Sequence, residues 1–209
     1  MEHVLNKDGW CSIDDEHLRR NLVTACSLSQ PGKCIPLRAK RVGCQLGSTR
    51  DVKKLLKSSS MWKEMSAYFG AADMDVLFLQ DIRVPDGYVP AQAVHRDHNE
   101  GPHMAVTIAF AETPLKPEFW SRSHIDTEAE GLLYSTTFKG TKSRPRPAAS
   151  IDKLLTRSDS KFVVYDMHIY HRASERTLEE LAESGRFFLA MVPSSQETSI
   201  RRNIKRSNV

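Results

Sequence analysis

Near Gly70 the hydrophobic period of this chain changes from helical to extended, and that change limits the folds open to it. Upstream, Asp14 or Asp15 is placed to cap a helix over Glu16 to Cys26, with Leu18, Leu22, Val23 and Cys26 on one face. Gln30-Pro31-Gly32-Lys33 stops it, and the weakly patterned stretch through Gly47 reads as loop or edge strand. Val52, Leu55, Leu56, Met61, Trp62, Met65 and Phe69 then form an interrupted stripe that predicts one or two helices. Downstream the apolar runs are short. Asp75 to Val84, Met104 to Phe110, Lys161 to Tyr165 and Phe187 to Val192 all read as strands, as does Trp10 to Asp14 after the Asp8-Gly9 turn. The expectation is an α+β chain, mainly β, with a helical elaboration over about 14–70 and a β core over about 75–193.

A length of 209 residues suits one domain, placed here at 1–197. The formal net charge is only +4 and is spread along the chain, which argues against a nucleic-acid partner. The exception is Arg201-Arg202-Asn203-Ile204-Lys205-Arg206, within a basic tail at 198–209 expected to be disordered. The opening Met1-Glu2-His3 has no basic and apolar leader, and no run approaches the roughly 18 apolar residues of a membrane helix. These features predict a soluble, intracellular, cytoplasmic protein without a membrane partner. Cys11, Cys26, Cys34 and Cys44 have neither paired nor zinc-ligand spacing and are expected as free thiols. The stretch from Lys139 to Pro147 has no period and is expected to be an exposed loop; its Lys142, Arg144 and Arg146 suit solvent.

Chemistry concentrates in Gln92-Ala93-Val94-His95-Arg96-Asp97-His98. One residue separates His95 from Asp97, so on an extended backbone both side chains project from the same face and can grip one metal. With a second, distant imidazole such a pair forms the facial set that leaves three positions open on iron(II). The distant segment Phe162-Val163-Val164-Tyr165-Asp166-Met167-His168-Ile169-Tyr170-His171-Arg172 offers two histidines after a strand and an acidic turn. Fifteen residues past His171, Arg186 opens the last apolar strand, where its planar fork can hold a carboxylate. His98 and His103 read as neighbours of a metal rather than ligands.

In this order the segments resemble the iron(II)/2-oxoglutarate-dependent oxygenases, in particular their phytanoyl-CoA dioxygenase-like branch. Asp8-Gly9-Trp10-Cys11-Ser12-Ile13-Asp14 is similar to that family's first strand, Arg83 to Gly87 with Pro90 to Asp97 to its approach to the HxD motif, and Asp166 to Arg172 to its distal-histidine turn. The resemblance implies a double-stranded β-helix (jelly-roll) core with the N-terminal helices packed on the sheet. It also implies iron(II) held by His95, Asp97 and His171, with 2-oxoglutarate and O2 as co-substrates and a small organic molecule as substrate. Arg186 becomes the anchor for 2-oxoglutarate, with Gln92 and Tyr88 as further hydrogen-bonding partners. His168 is the rival distal ligand; it lies closer to Asp166 than the family's spacing suggests. The family's arginine follows its distal histidine more closely than Arg186 does, so Arg176 and Arg172 remain alternative anchors. Two other functions stay open: a binding module of the same fold without turnover, and a cupin-like metal enzyme that does not use 2-oxoglutarate.

Overall fold

Helix and strand signals resolve into three layers in a computed structural model of the chain, which describes residues 1–37, 41–83, 90–97, 101–125, 155–175 and 185–197. The N-terminal region supplies helices α1 (Glu2–Asp8), α2 (Glu16–Ser27), α3 (Thr49–Lys57) and α4 (Ser60–Phe69). Helix α2 starts where its cap predicts, with the Asp15 carboxylate accepting the amide of Leu18 at 2.9 Å. Helix α1 ends in the left-handed Gly9 (φ 79°), where a Cβ would come within 2.5 Å of the His124 ring.

A seven-stranded sheet runs in the order β1 (Trp10–Ser12), β8 (Phe162–Asp166), β5 (Val106–Ala111), β10 (Arg186–Pro193), β4 (Met74–Arg83), β3 (Arg41–Leu46), β2 (Pro31–Leu37). Its neighbouring strands are antiparallel throughout. A second sheet has the order β7 (Leu155–Arg157), β6 (Pro117–Trp120), β9 (His171–Ala173). Alternation along the strands divides the two faces of the large sheet. Ile108, Phe110, Phe162, Val164, Phe187 and Leu189 pack under the helices with Leu22, Val52, Leu56 and Met65. Ala109, Ala111, Val163 and Tyr165 turn the other way and meet Phe119 of the small sheet. Strands β5 and β8 are buried at every position because both faces are covered, which is why they read as continuous apolar runs.

The weakly patterned stretch before Gly47 is the β2–β3 hairpin at the sheet edge. Its register sets Cys34 directly opposite Cys44, and the two form a disulfide. The expectation of four free thiols therefore fails at this pair; cross-strand register, which no local spacing shows, brought the sulfurs together. Cys11 and Cys26 are free, and burial pushes both thiols up to about 12. In the folded protein neither is expected to react with iodoacetamide at pH 8, because so little thiolate is present. Mass spectrometry should find adducts at these two positions only after unfolding, and labelling of either in the native state would contradict this packing.

Among the described residues no helix is long and apolar enough to cross a membrane. The tail at 198–209 and the loop from Lys139 to Pro147 lie outside the described residues.

Candidate metal centre

The segment 90–97 runs antiparallel to the chain around β9. His95 and His171 exchange both backbone hydrogen bonds at 2.9 Å, Gln92 donates its amide to the Ala173 carbonyl at 3.0 Å, and Asp97 donates to the Met167 carbonyl at 3.0 Å. Residues directly opposed in an antiparallel pair share a face, and so do residues two apart on one strand. His95, His171 and Asp97 are therefore forced onto one side. Their ligand atoms all lie within 4.8 Å of one another, the one such grouping of three His, Cys, Asp or Glu among the described residues.

Both imidazoles are oriented for ligation. His95 Nδ1 is 2.8 Å from the carbonyl of Ala93 and His171 Nδ1 is 3.1 Å from that of Ile169. A carbonyl only accepts, so the proton sits on Nδ1 in each ring and the Nε2 lone pair points inward. The two Nε2 atoms are 3.4 Å and 3.6 Å from the Asp97 carboxylate oxygens. Burial raises the Asp97 carboxyl, but His171 and His95 beside it, with the Tyr165 hydroxyl, outweigh that and hold it below the usual carboxylate range. Burial lowers the His171 imidazole, against the attraction of Asp97. The ring is therefore neutral at neutral pH, as a metal ligand must be. Two imidazole nitrogens and a carboxylate suit iron(II) and would leave three positions of an octahedron open.

His168 is not part of this grouping. It is buried, with its backbone amide donating 2.7 Å to Asp166. His103 is likewise elsewhere, with its ring over Tyr68 and its amide on Asp166. Gln92 uses its side-chain oxygen on the Ala173 amide at 3.2 Å, which fastens the segments that carry His95 and His171 together. Arg172 alternates with His171 and forms an ion pair with Glu118 across the small sheet at 2.5 Å, away from the metal face. Arg186 is buried; it pairs with Ala111, so its side chain lies on the inner face of the large sheet. Tyr88, His98 and Arg176 fall outside the described residues.

Two residues escaped the sequence reading. Arg41 is buried on β3 and donates to the carbonyls of Pro90 and Ser174, which tethers the segments that carry His95 and His171 at their ends. Tyr165 reaches from β8 to Asp97 with its hydroxyl. Burial, followed by the charge of Asp97, pushes that phenol well above its ordinary range, so it is a donor at neutral pH. The continuous apolar run of β8 does not show in the sequence which face Tyr165 occupies, and its contact with Asp97 depends on segments far apart in the chain.

No protein-family model matches the chain, and no characterised protein matches it in sequence. Solved structures do. HygX from Streptomyces hygroscopicus, determined with nickel and 2-oxoglutarate bound, superposes with a TM-score of 0.59 at 7% identity over 92% of this chain and 85% of that one. The epimerase SnoN, in complex with Fe3+, alpha-ketoglutarate and nogalamycin RO, gives 0.57 at 12% identity over 92% and 82%. An oxidoreductase of the 2OG-Fe(II) oxygenase family from Burkholderia pseudomallei gives 0.50 at 10% identity over 92% and 88%. This chain has the fold of the 2OG-Fe(II) oxygenases. On the oxygenase fold, His95, Asp97 and His171 lie between the large sheet and the small one, against Tyr165 and Phe119.

Proposed function

We propose that the chain is a non-haem iron(II) and 2-oxoglutarate-dependent dioxygenase acting on a small organic molecule, with one domain over 1–197 built on a double-stranded β-helix. The observation that carries this reading is the convergence of His95, Asp97 and His171 with both imidazole Nε2 atoms turned inward. The binding of 2-oxoglutarate and of nickel or iron by HygX and SnoN supports it. We assign the phytanoyl-CoA dioxygenase-like branch from the stretches Asp8 to Asp14, Pro90 to Asp97 and Asp166 to Arg172.

The reaction class is 2-oxoglutarate + O2 + R–H giving succinate + CO2 + R–OH, with one oxygen atom entering each organic product. Iron(II) held by the three side chains would supply the activation of O2. The protein's own part is to orient and to exclude water. Arg186 would hold the distal carboxylate of 2-oxoglutarate through two parallel hydrogen bonds. It stands four residues along β10 from Ala190, whose partner Thr107 lies opposite Tyr165. At the strand rise this is about 13 Å, which a five-carbon dicarboxylate and an extended arginine span together.

Anaerobic addition of iron(II) and 2-oxoglutarate is expected to produce a weak visible charge-transfer band that His95→Ala abolishes. Absence of the band in the native chain would refute the oxygenase reading. Arg186→Met is expected to weaken 2-oxoglutarate binding by about 100-fold or more, the lower end for two charge-assisted hydrogen bonds, with iron(II) affinity unchanged. An unchanged 2-oxoglutarate affinity would move the anchor role to Arg176.

A further inference from the structure

Tyr165 touches two of the three side chains proposed to hold the metal. Its hydroxyl donates to Asp97 Oδ2 at 3.3 Å, and its ring centroid lies 4.7 Å from that of His171. On its other side the ring meets Phe119 at 5.2 Å. Asp97 belongs to a short segment held by one bridge at His95, by backbone hydrogen bonds and by the side chains of Arg41, Gln92 and Arg96, whereas Tyr165 belongs to β8, in the interior of the large sheet and buried at every position. The Asp97 carboxylate thus takes its orientation from a rigid element through one hydrogen bond. Across the ladder stands Thr107, whose buried hydroxyl also approaches the phenol; a phenol that accepts from Thr107 keeps its own proton for Asp97.

Resting on the oxygenase reading, the geometry points to Tyr165 as a positioning residue that restricts Asp97 to ligation through a single oxygen. A carboxylate can bind a metal through one oxygen or two. With Oδ2 engaged by the phenol, Oδ1 is the atom left for iron, and it is the one 3.4 Å from His95 Nε2. Two-oxygen binding would consume a coordination position. A 2-oxoglutarate held through two atoms and an O2 would together need all three remaining positions, so none could be spared. Tyr165 therefore protects the open positions while contributing no ligand, and its ring limits rotation of the His171 imidazole. Such outer contacts to metal ligands typically carry 10- to 100-fold in metal affinity or activity.

The test is Tyr165→Phe, which removes one oxygen and keeps the ring against His171 and Phe119. Iron(II) affinity, 2-oxoglutarate affinity and the anaerobic charge-transfer band are read beside the native chain. The variant is expected to keep its melting temperature as apoprotein and to bind 2-oxoglutarate about tenfold more weakly. Its band should move to lower energy, because a carboxylate released from the phenol donates more charge to the metal. Substitution of 3-fluorotyrosine at position 165 strengthens the donor, retains the shape and should move the band the other way. This second variant keeps the test decisive if Tyr165→Phe folds poorly. A native band accompanied by no shift in either variant and no loss of 2-oxoglutarate affinity would overturn the positioning role and leave the oxygenase reading standing. Absence of a band in the native chain would overturn both.

Discussion

Replacing His171 with alanine is expected to lower iron(II) affinity by about 100-fold or more, while His168→Ala leaves it within a few-fold of the native chain. The two histidines are three residues apart and both are buried, so the difference is one of direction. His171 exchanges two backbone hydrogen bonds with His95, which forces the two side chains onto one face with ring centroids 4.6 Å apart. Its Nδ1 is committed to the Ile169 carbonyl, and Nε2 is turned to Asp97. His168 meets Asp166 through its backbone amide, a bond that alanine retains. Anaerobic iron(II) titration of both apoproteins, each checked for native melting, measures the contrast. Loss of iron in His168→Ala with retention in His171→Ala would reverse the assignment.

Asp166→Ala is expected to destabilise the apoprotein by about 3–5 kcal/mol, measured as a shift in the urea midpoint at constant slope. The carboxylate is fully buried and accepts three hydrogen bonds: from the Tyr68 hydroxyl, from the His103 amide at 2.8 Å and from the His168 amide at 2.7 Å. These tie helix α4, the turn at His103 and the end of β8 to one point. Hydrogen bonds to a charged acceptor are individually worth about 1.5–3 kcal/mol, and alanine strands all three donors in the interior. The loss should also reach the metal site, because Met167, the next residue, accepts the amide of Asp97. An effect below about 1 kcal/mol would show that water replaces the carboxylate and that the cluster is not a structural anchor.

The parts of the site legible in the sequence were those set by short-range periodicity. His95 and Asp97 share a face because any extended backbone repeats every two residues, and the cap at Asp15 set the start of α2 for an equally local reason. The buried runs of β4, β5, β8 and β10 showed as apolar segments bounded by turn residues. Strands β6, β7 and β9 did not show, because three or four residues are too few to display a period. They exist because Phe119 pairs with His171 and Trp120 with Leu155. Helix α1 was missed as well; it is a short element anchored by the burial of Leu5.

Composition and spacing alone therefore determined the layering of helices over a mainly β core and the HxD pair. They left open which of two histidines joins His95 and Asp97, missed the pairing of Cys34 with Cys44 and gave no contact for Tyr165. Each of those rests on register between segments distant in the chain: His95 against His171, Cys34 against Cys44, Tyr165 against Asp97. Periodicity tells a side chain which face it occupies, but a shift in register moves its partner without altering the local pattern. Packing of the two sheets around Phe119 and Tyr165 selected one register, and with it the grouping of His95, Asp97 and His171.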